Sequence, residues 1–252
     1  MKTAVICLAY LVAIAAAELI TILVSPLGGI IFYFVILSLL ILNSSIVGQH
    51  PSQRLFLALG LAPLIRILSL SVTLAELSQI YWYLVISAPL LVGIFAVIIA
   101  LNLHPPEIGL IRGKLPVQGL IALTGIGFGL VEYLILKPES LIDHLTVQEF
   151  LAPALVILVC TGFVEELAFR GVMQHSAMKA LGSWGWVYIA VLFSLFQIWH
   201  RSAIDCLFVL AVALFFGWAV KKTGSILGVS LSHGLVNIFL FLIFPFVFKF
   251  SG

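Results

Sequence analysis

Apolar residues run in long blocks along this chain, and polar residues gather in short stretches between them. The blocks lie at about 4–24, 30–47, 55–75, 81–101, 117–136, 150–178, 185–199, 203–220 and 226–248. None alternates with the period of two that a half-buried strand requires. About 20 apolar residues in a helix cross a hydrocarbon core of about 30 Å. In lipid every backbone polar group must be satisfied within the segment, which leaves the helix as the spanning element. The pattern predicts an all-α, polytopic membrane helix bundle with about eight transmembrane helices, eight or nine crossings in all. No long polar linker divides it. The chain therefore reads as one membrane domain, with N-terminal helices over 1–149 and a C-terminal core over 150–252.

The breaks are turn chemistry. Ser25-Pro26-Leu27-Gly28-Gly29 and Gln49-His50-Pro51-Ser52 predict tight turns. Residues 102–116 and 137–149 are the longer polar loops, the second net acidic. Block 150–178 is too long to stand upright: at 1.5 Å per residue it spans about 43 Å. It is expected to tilt or to leave the membrane near Gly171. Counted from the same side, straight helices would also leave His200 deeper than His233. Gly125 and Gly129 form a small-xxx-small pair that predicts close helix packing rather than a dinucleotide loop.

Composition agrees with this pattern. The chain has 252 residues, of which 63% are hydrophobic and 9% charged, and its mean hydropathy is +1.28. A soluble domain carries roughly 25% charged residues. A net charge of +2, dispersed along the chain, gives no basis for binding nucleic acid. Cys7, Cys160 and Cys206 sit in apolar runs with no metal-binding spacing and read as small buried hydrophobes. The first block, preceded by Lys2, resembles a signal peptide up to Ala15-Ala16-Ala17, but it continues to Val24 and reads as an uncleaved first helix. With a cytoplasmic N-terminus, seven loop Lys and Arg fall inside and three outside, Lys249 among the latter. The bias predicts that orientation, in a multi-pass protein of the cell membrane.

The chemistry concentrates in Glu165-Glu166-Leu167-Ala168-Phe169-Arg170, which lies inside block 150–178. Ionised groups at membrane depth cost at least about 2.5–3.5 kcal/mol each and mark function or pairing. Glu166 and Arg170 are four apart, on one helix face. Glu165 points about 100° away. One carboxylate is thus expected to be neutralised locally and the other left for chemistry. His200 ends a block and shares a face with Phe196. His233 and Asn237 share a face inside the last block. That pair offers two donors, suited either to a developing oxyanion or to an interhelical hydrogen bond. Glu18, Arg66, Glu76 and Glu132 are scattered, with Glu18 or Glu132 able to pair with Arg66 across helices. His175 is expected at the interface.

Several hydrolytic signatures are missing. There is no HExxH and no GxSxG, since Gly228-Val229-Ser230-Leu231-Ser232 lacks the last glycine. The two aspartates, Asp143 and Asp205, lie in or near loops, which excludes an aspartyl dyad in mid-membrane.

Taken together, Glu165-Glu166-x-x-x-Arg170, Phe196-x-x-x-His200 and His233-x-x-x-Asn237 resemble the three motifs of the CPBP intramembrane protease family. That family holds the type II CAAX prenyl endopeptidases and bacteriocin-processing enzymes and is also called the Abi family. The resemblance covers roughly residues 150–245 and includes Lys221-Lys222-Thr223-Gly224-Ser225 before the last helix. It implies an intramembrane endopeptidase of glutamate type. Glu165 would activate water with the help of His200, His233 and Asn237 would form the oxyanion hole, and Glu166 and Arg170 would hold the site together. The implied partners are the lipid bilayer and a peptide or membrane-protein substrate, lipidated in the CAAX case. No cofactor is implied by the glutamate mechanism. The rival is a zinc endopeptidase with Glu165, His200 and His233 as ligands. A second rival class is non-catalytic: a membrane scaffold, a bacteriocin-immunity protein or a transport path.

Overall fold

The computed structural model describes residues 2–46, 50–73 and 79–248. Gln49, Glu76 and Lys249, named above in a turn, as a scattered carboxylate and in the charge count, lie outside them. All regular structure among the described residues is helical. Eight segments are long and apolar enough to cross a membrane, so the chain is a multi-pass membrane protein. In order these are α1 (Lys2–Leu23), α2 (Pro26–Ile46), α3 and α4 (Pro51–Leu59 and Leu61–Thr73), α5 (Gln79–Ala100) and α6 (Leu115–Leu136). A long composite segment then runs from α7 (Val147–Ile157) through α8 (Gln174–Leu181) to α9 (Gly185–Leu195). α10 (Ala203–Thr223) and α11 (Leu227–Ile238) follow, the latter extended by a π-helical turn, Phe239–Ile243, and α12 (Phe244–Val247).

Three sequence boundaries are corrected. The helices of blocks two, three and five start at or just before Pro26, Pro51 and Pro116 rather than a few residues later. Proline suits the first turn, where its missing N–H would have had no partner. His50 caps α3, its ring accepting from the Ser52 N–H.

The over-long block proves to be helix without a break at Gly171, but not α-helix throughout. Between α7 and α8 the backbone widens into two π-helical segments, Leu158–Glu165 and Leu167–Met173, on either side of Glu166. Wider turns advance less per residue, which shortens the segment. π-Helical winding is rare and is frequent at functional sites. The chain then reverses at Gly182–Trp184, and Gly185 lies so close to α8 that a Cβ there would sit 2.4 Å from the Ala177 carbonyl carbon.

The block after the reversal is not α-helix to its end. From Phe196 to His200 it tightens into a 3-10 turn, closed by Arg201 in the left-handed conformation. Phe196 and His200 therefore do not stack on one face as α-helical spacing predicted. Glu165 lies roughly as far before the Gly182 reversal as His200 lies after it, so the hairpin itself brings the two to a similar level.

Backbone contact without side chains positions α11. A Cβ on Gly125 or Gly129 of α6 would meet the Ser232 or Val236 carbonyl oxygen at 2.2 or 2.8 Å, as the small-xxx-small pair predicted. On another side, a Cβ on Gly162 would lie 2.6 Å from the Ser230 oxygen, and one on Gly234 would lie 2.5 Å from a Leu158 methyl. The start of α11 is tied to the 101–114 loop and to the first turn of α6. The Ile226 N–H donates to the Gly109 carbonyl at 3.0 Å, and the Gly228 N–H donates to Gln118 Oε1 at 2.7 Å. One apolar core runs from α1 to the start of α11, so the N-terminal helices buttress the C-terminal ones.

Candidate active site

Glu166 is wholly buried. Its Oε1 accepts from Arg170 Nη1 at 2.8 Å, the i,i+4 contact predicted from spacing, and lies 2.9 Å from His233 Nδ1. Glu166 Oε2 and Arg170 Nη2 are buried with no hydrogen-bond partner. The Arg170 guanidinium is held instead between aromatic rings, 4.5 Å from the Phe193 centroid and 5.6 Å from that of Phe216. Cation–π attraction in a desolvated setting is worth about 2 kcal/mol and partly compensates the missing bond.

Glu165 points the other way. It makes no hydrogen bond or ion pair among the described residues and lines a cavity of about 200 Å³. Arg170, His200, His233 and Asn237 line the same cavity. Five of the six predicted site residues therefore surround one space, and the sixth, Glu166, lies directly behind it. As the spacing predicts, Glu166 is paired within its own helix, and Glu165 faces elsewhere.

Each remaining side chain is held by a neighbour. His233 is aimed by Glu166. Asn237 donates one amide proton to Thr161 Oγ1 at 2.9 Å, and Thr161 in turn donates to the Ile157 carbonyl at 2.8 Å. Its second amide proton is left for the cavity. His200 Nδ1 lies 2.8 Å from Asp205 Oδ2. Asp205 lies near a loop, as its sequence position suggested: it is in the first turn of α10, and it is wholly buried.

Three cavity-lining or supporting residues were missed. Thr161 carried no signal as a lone apolar-run threonine. Asp205 carried one: Ser202-x-x-Asp205 is a capping-box pattern, and His200 stands just before it. Glu132 had been read as one possible partner of Arg66. It lines the cavity instead, within electrostatic reach of Asp205, His200 and His233. Arg66 is taken by Glu18, whose two oxygens accept from Nε at 2.5 Å and Nη2 at 2.6 Å. His175 is mostly buried and approaches Glu107 of the 101–114 loop at 3.7 Å.

The zinc alternative asks whether Glu165, His200 and His233 fit one ion. Each imidazole has a carboxylate on Nδ1, a common companion of metal-bound histidine. Yet among the described residues no three His, Cys, Asp or Glu side chains stand close enough together to hold a metal. The donor set does not fit as placed.

No curated protein and no solved structure matches the chain. A family model does: that of the type II CAAX prenyl endopeptidase Rce1-like family matches residues 147–239, a little over a third of the sequence. The matched stretch begins at the first residue of α7 and ends just past Asn237, so it contains every cavity residue singled out above except Glu132 of α6. Residues 147–239 thus carry the Rce1-like signature of the type II CAAX prenyl endopeptidases, within the CPBP family that the three motifs resemble.

Proposed function

We propose that the protein is an intramembrane endopeptidase in which Glu165 activates water against a peptide carbonyl. The observation that carries this reading is the convergence of Glu165, His200, His233 and Asn237, from three separate helical segments, on one cavity in which Glu165 has no bonded partner among the described residues. A group that contributes to stability would be bonded; this one faces open space in an apolar bundle.

The step balances with these residues alone. The Glu165 carboxylate removes a proton from water as the water oxygen bonds to the carbonyl carbon. The carbonyl π pair moves onto its oxygen, towards His233 and Asn237. The C–N bond then breaks, and the proton held on Glu165 passes to the leaving amine. His233 directs Nδ1 at Glu166, so its Nε2 donates only when the ring is an imidazolium. Charge supports that form. Glu165 and Glu166 carry two negative charges and Arg170 one positive, and a protonated His233 makes the cluster neutral. Removing one oxyanion donor typically costs about 2.7–4 kcal/mol of transition-state stabilisation. No step requires a metal.

The substrate class is a peptide bond presented within the bilayer, with a lipidated C-terminal CAAX segment as the form the family match favours. The Lys and Arg distribution supports a cytoplasmic N-terminus. The test compares wild type with Glu165→Gln in proteoliposomes, using mass spectrometry of membrane peptides and matched CAAX peptides with and without a prenyl group. Cleavage by wild type alone is expected. Equal cleavage by the Gln variant would remove Glu165 from the chemistry, and cleavage of the bare peptide at the same rate would remove the lipid from the specificity.

A further inference from the structure

We propose that Asp205 is a positioning residue for the reaction, acting through His200; the inference rests on the hydrolytic reading above. Asp205 Oδ2 lies 2.8 Å from His200 Nδ1 while the aspartate side chain has no exposure at all. Its position in the chain explains how it comes to be there. Ser202 caps α10, its hydroxyl accepting from the Asp205 N–H at 3.2 Å. In a complete capping box the acidic side chain returns the bond to the backbone of the cap. Here it does not. Oδ2 is turned to the imidazole, and Oδ1 is buried with no partner.

A buried carboxylate with one unsatisfied oxygen destabilises a fold. No Lys or Arg pairs with Asp205 among the described residues, which sets it apart from Glu18 and Glu166. Its one partner is a side chain that lines the reaction cavity. The arrangement makes sense as orientation of His200 and not as a cap or a structural ion pair.

The consequence is chemical. With its Nδ1–H donated to Asp205, neutral His200 presents the Nε2 lone pair to the cavity. It accepts a hydrogen bond from the O–H of the attacking water that Glu165 does not take, which orients the oxygen. Any imidazolium formed there as proton density shifts from water is balanced by Asp205. The last turn before α10 is braced from the other side as well. There Arg201 Nη2 donates to the Ile22 carbonyl at 3.2 Å. His200 is therefore held at both ring and backbone.

The experiment combines kinetics with ¹⁵N NMR of histidine-labelled full-length protein in bilayers. In wild type the His200 ring is expected to be protonated at Nδ1, hydrogen-bonded, with Nε2 unprotonated. Asp205→Asn removes the charge and admits the reversed tautomer. It is expected to lower kcat by roughly 10²- to 10⁴-fold with KM unchanged. The double variant His200→Ala/Asp205→Asn is expected to be no slower than His200→Ala alone. Wild-type kcat in Asp205→Asn, or losses that multiply in the double variant, would overturn the inference while leaving the hydrolytic reading intact. Should Asp205→Asn fail to fold, an Nε2-protonated His200 in wild type would still overturn it. Full activity of His200→Ala would instead sink the underlying assignment of His200.

Discussion

Glutamate and arginine pair twice inside this bundle, and the two pairs are built to different ends. In the N-terminal half Glu18 and Arg66 meet through two bonds, and Tyr33 adds a third, its hydroxyl donating to Glu18 Oε1 at 2.5 Å. Both carboxylate oxygens are satisfied, and no cavity of the active site touches them. In the C-terminal half Glu166 and Arg170 share a single bond. The free guanidinium nitrogen lies among aromatic rings, the free carboxylate oxygen has no partner, and the bonded oxygen also serves His233. The first pair is closed. The second is left open towards a neighbour that lines the cavity. Buried polar groups in native proteins are almost always satisfied, so an incompletely bonded pair points to chemistry where a completely bonded pair points to packing.

The comparison breaks most sharply by replacing each pair whole. Changing both Glu166 and Arg170 to apolar residues of similar size is expected to leave a folded protein without measurable proteolysis, because His233 loses its anchor. The corresponding change of Glu18, Tyr33 and Arg66 to Met, Phe and Leu is expected to retain activity, since replacing a buried pair with packed apolar groups is often neutral in stability. Parallel thermal-unfolding and peptide-cleavage assays read both. Loss of activity in the N-terminal triple variant at unchanged stability would show that its pair is not merely packing.

Single replacements sharpen the picture through stability. Glu18→Ala and Glu166→Ala each strand a buried guanidinium and are expected to destabilise by about 3–5 kcal/mol. The Arg170 rings soften the second, so Glu18→Ala is expected to be the worse of the two by denaturation. The reverse order would mean that the aromatic cage does little for Arg170.

Gly162→Ala tests geometry without touching a titratable group. The added methyl would meet the Ser230 oxygen at 2.6 Å and the Gly234 nitrogen at 2.9 Å, so α11 must shift. A stability loss of about 1–3 kcal/mol, the usual range for overpacking, and a fall in kcat of about tenfold or more are expected. Gly127→Ala is the control, since open space surrounds its Cβ position. The smallest effect concerns metal: exhaustive chelation is expected to leave cleavage unchanged. A loss restored by Zn²⁺ would bring Glu165, His200 and His233 back as ligands.

Much of this was legible before any coordinates. Block lengths gave the spans, the i,i+4 spacing gave Glu166–Arg170, and Gly125 with Gly129 gave a close helix contact, though not its partner α11. What the residues could not reveal has one cause: helical periodicity describes contacts within a turn, and the site is assembled between helices. The π-helical widening about Glu166 and the 3-10 tightening before His200 change which way those side chains point, and propensity does not register either. Asp205 lay in plain view in Ser202-x-x-Asp205, yet the pattern alone says cap and not histidine partner.

The sequence by itself determined that this chain must be a bundle of membrane helices, because lipid leaves an apolar backbone no other way to satisfy its N–H and C=O groups. It also determined that one of two adjacent carboxylates would be neutralised by its own helix, since that bond closes within a single turn. Only the tertiary structure decided that Arg66 takes Glu18 and not Glu132. Only it decided that Asp205 aims His200, and that the space Glu165 faces is one cavity shared with His200, His233 and Asn237. Those outcomes depend on how separate helices meet, which is governed by glycine contacts and close-packed aromatic rings distant in sequence from the groups they orient.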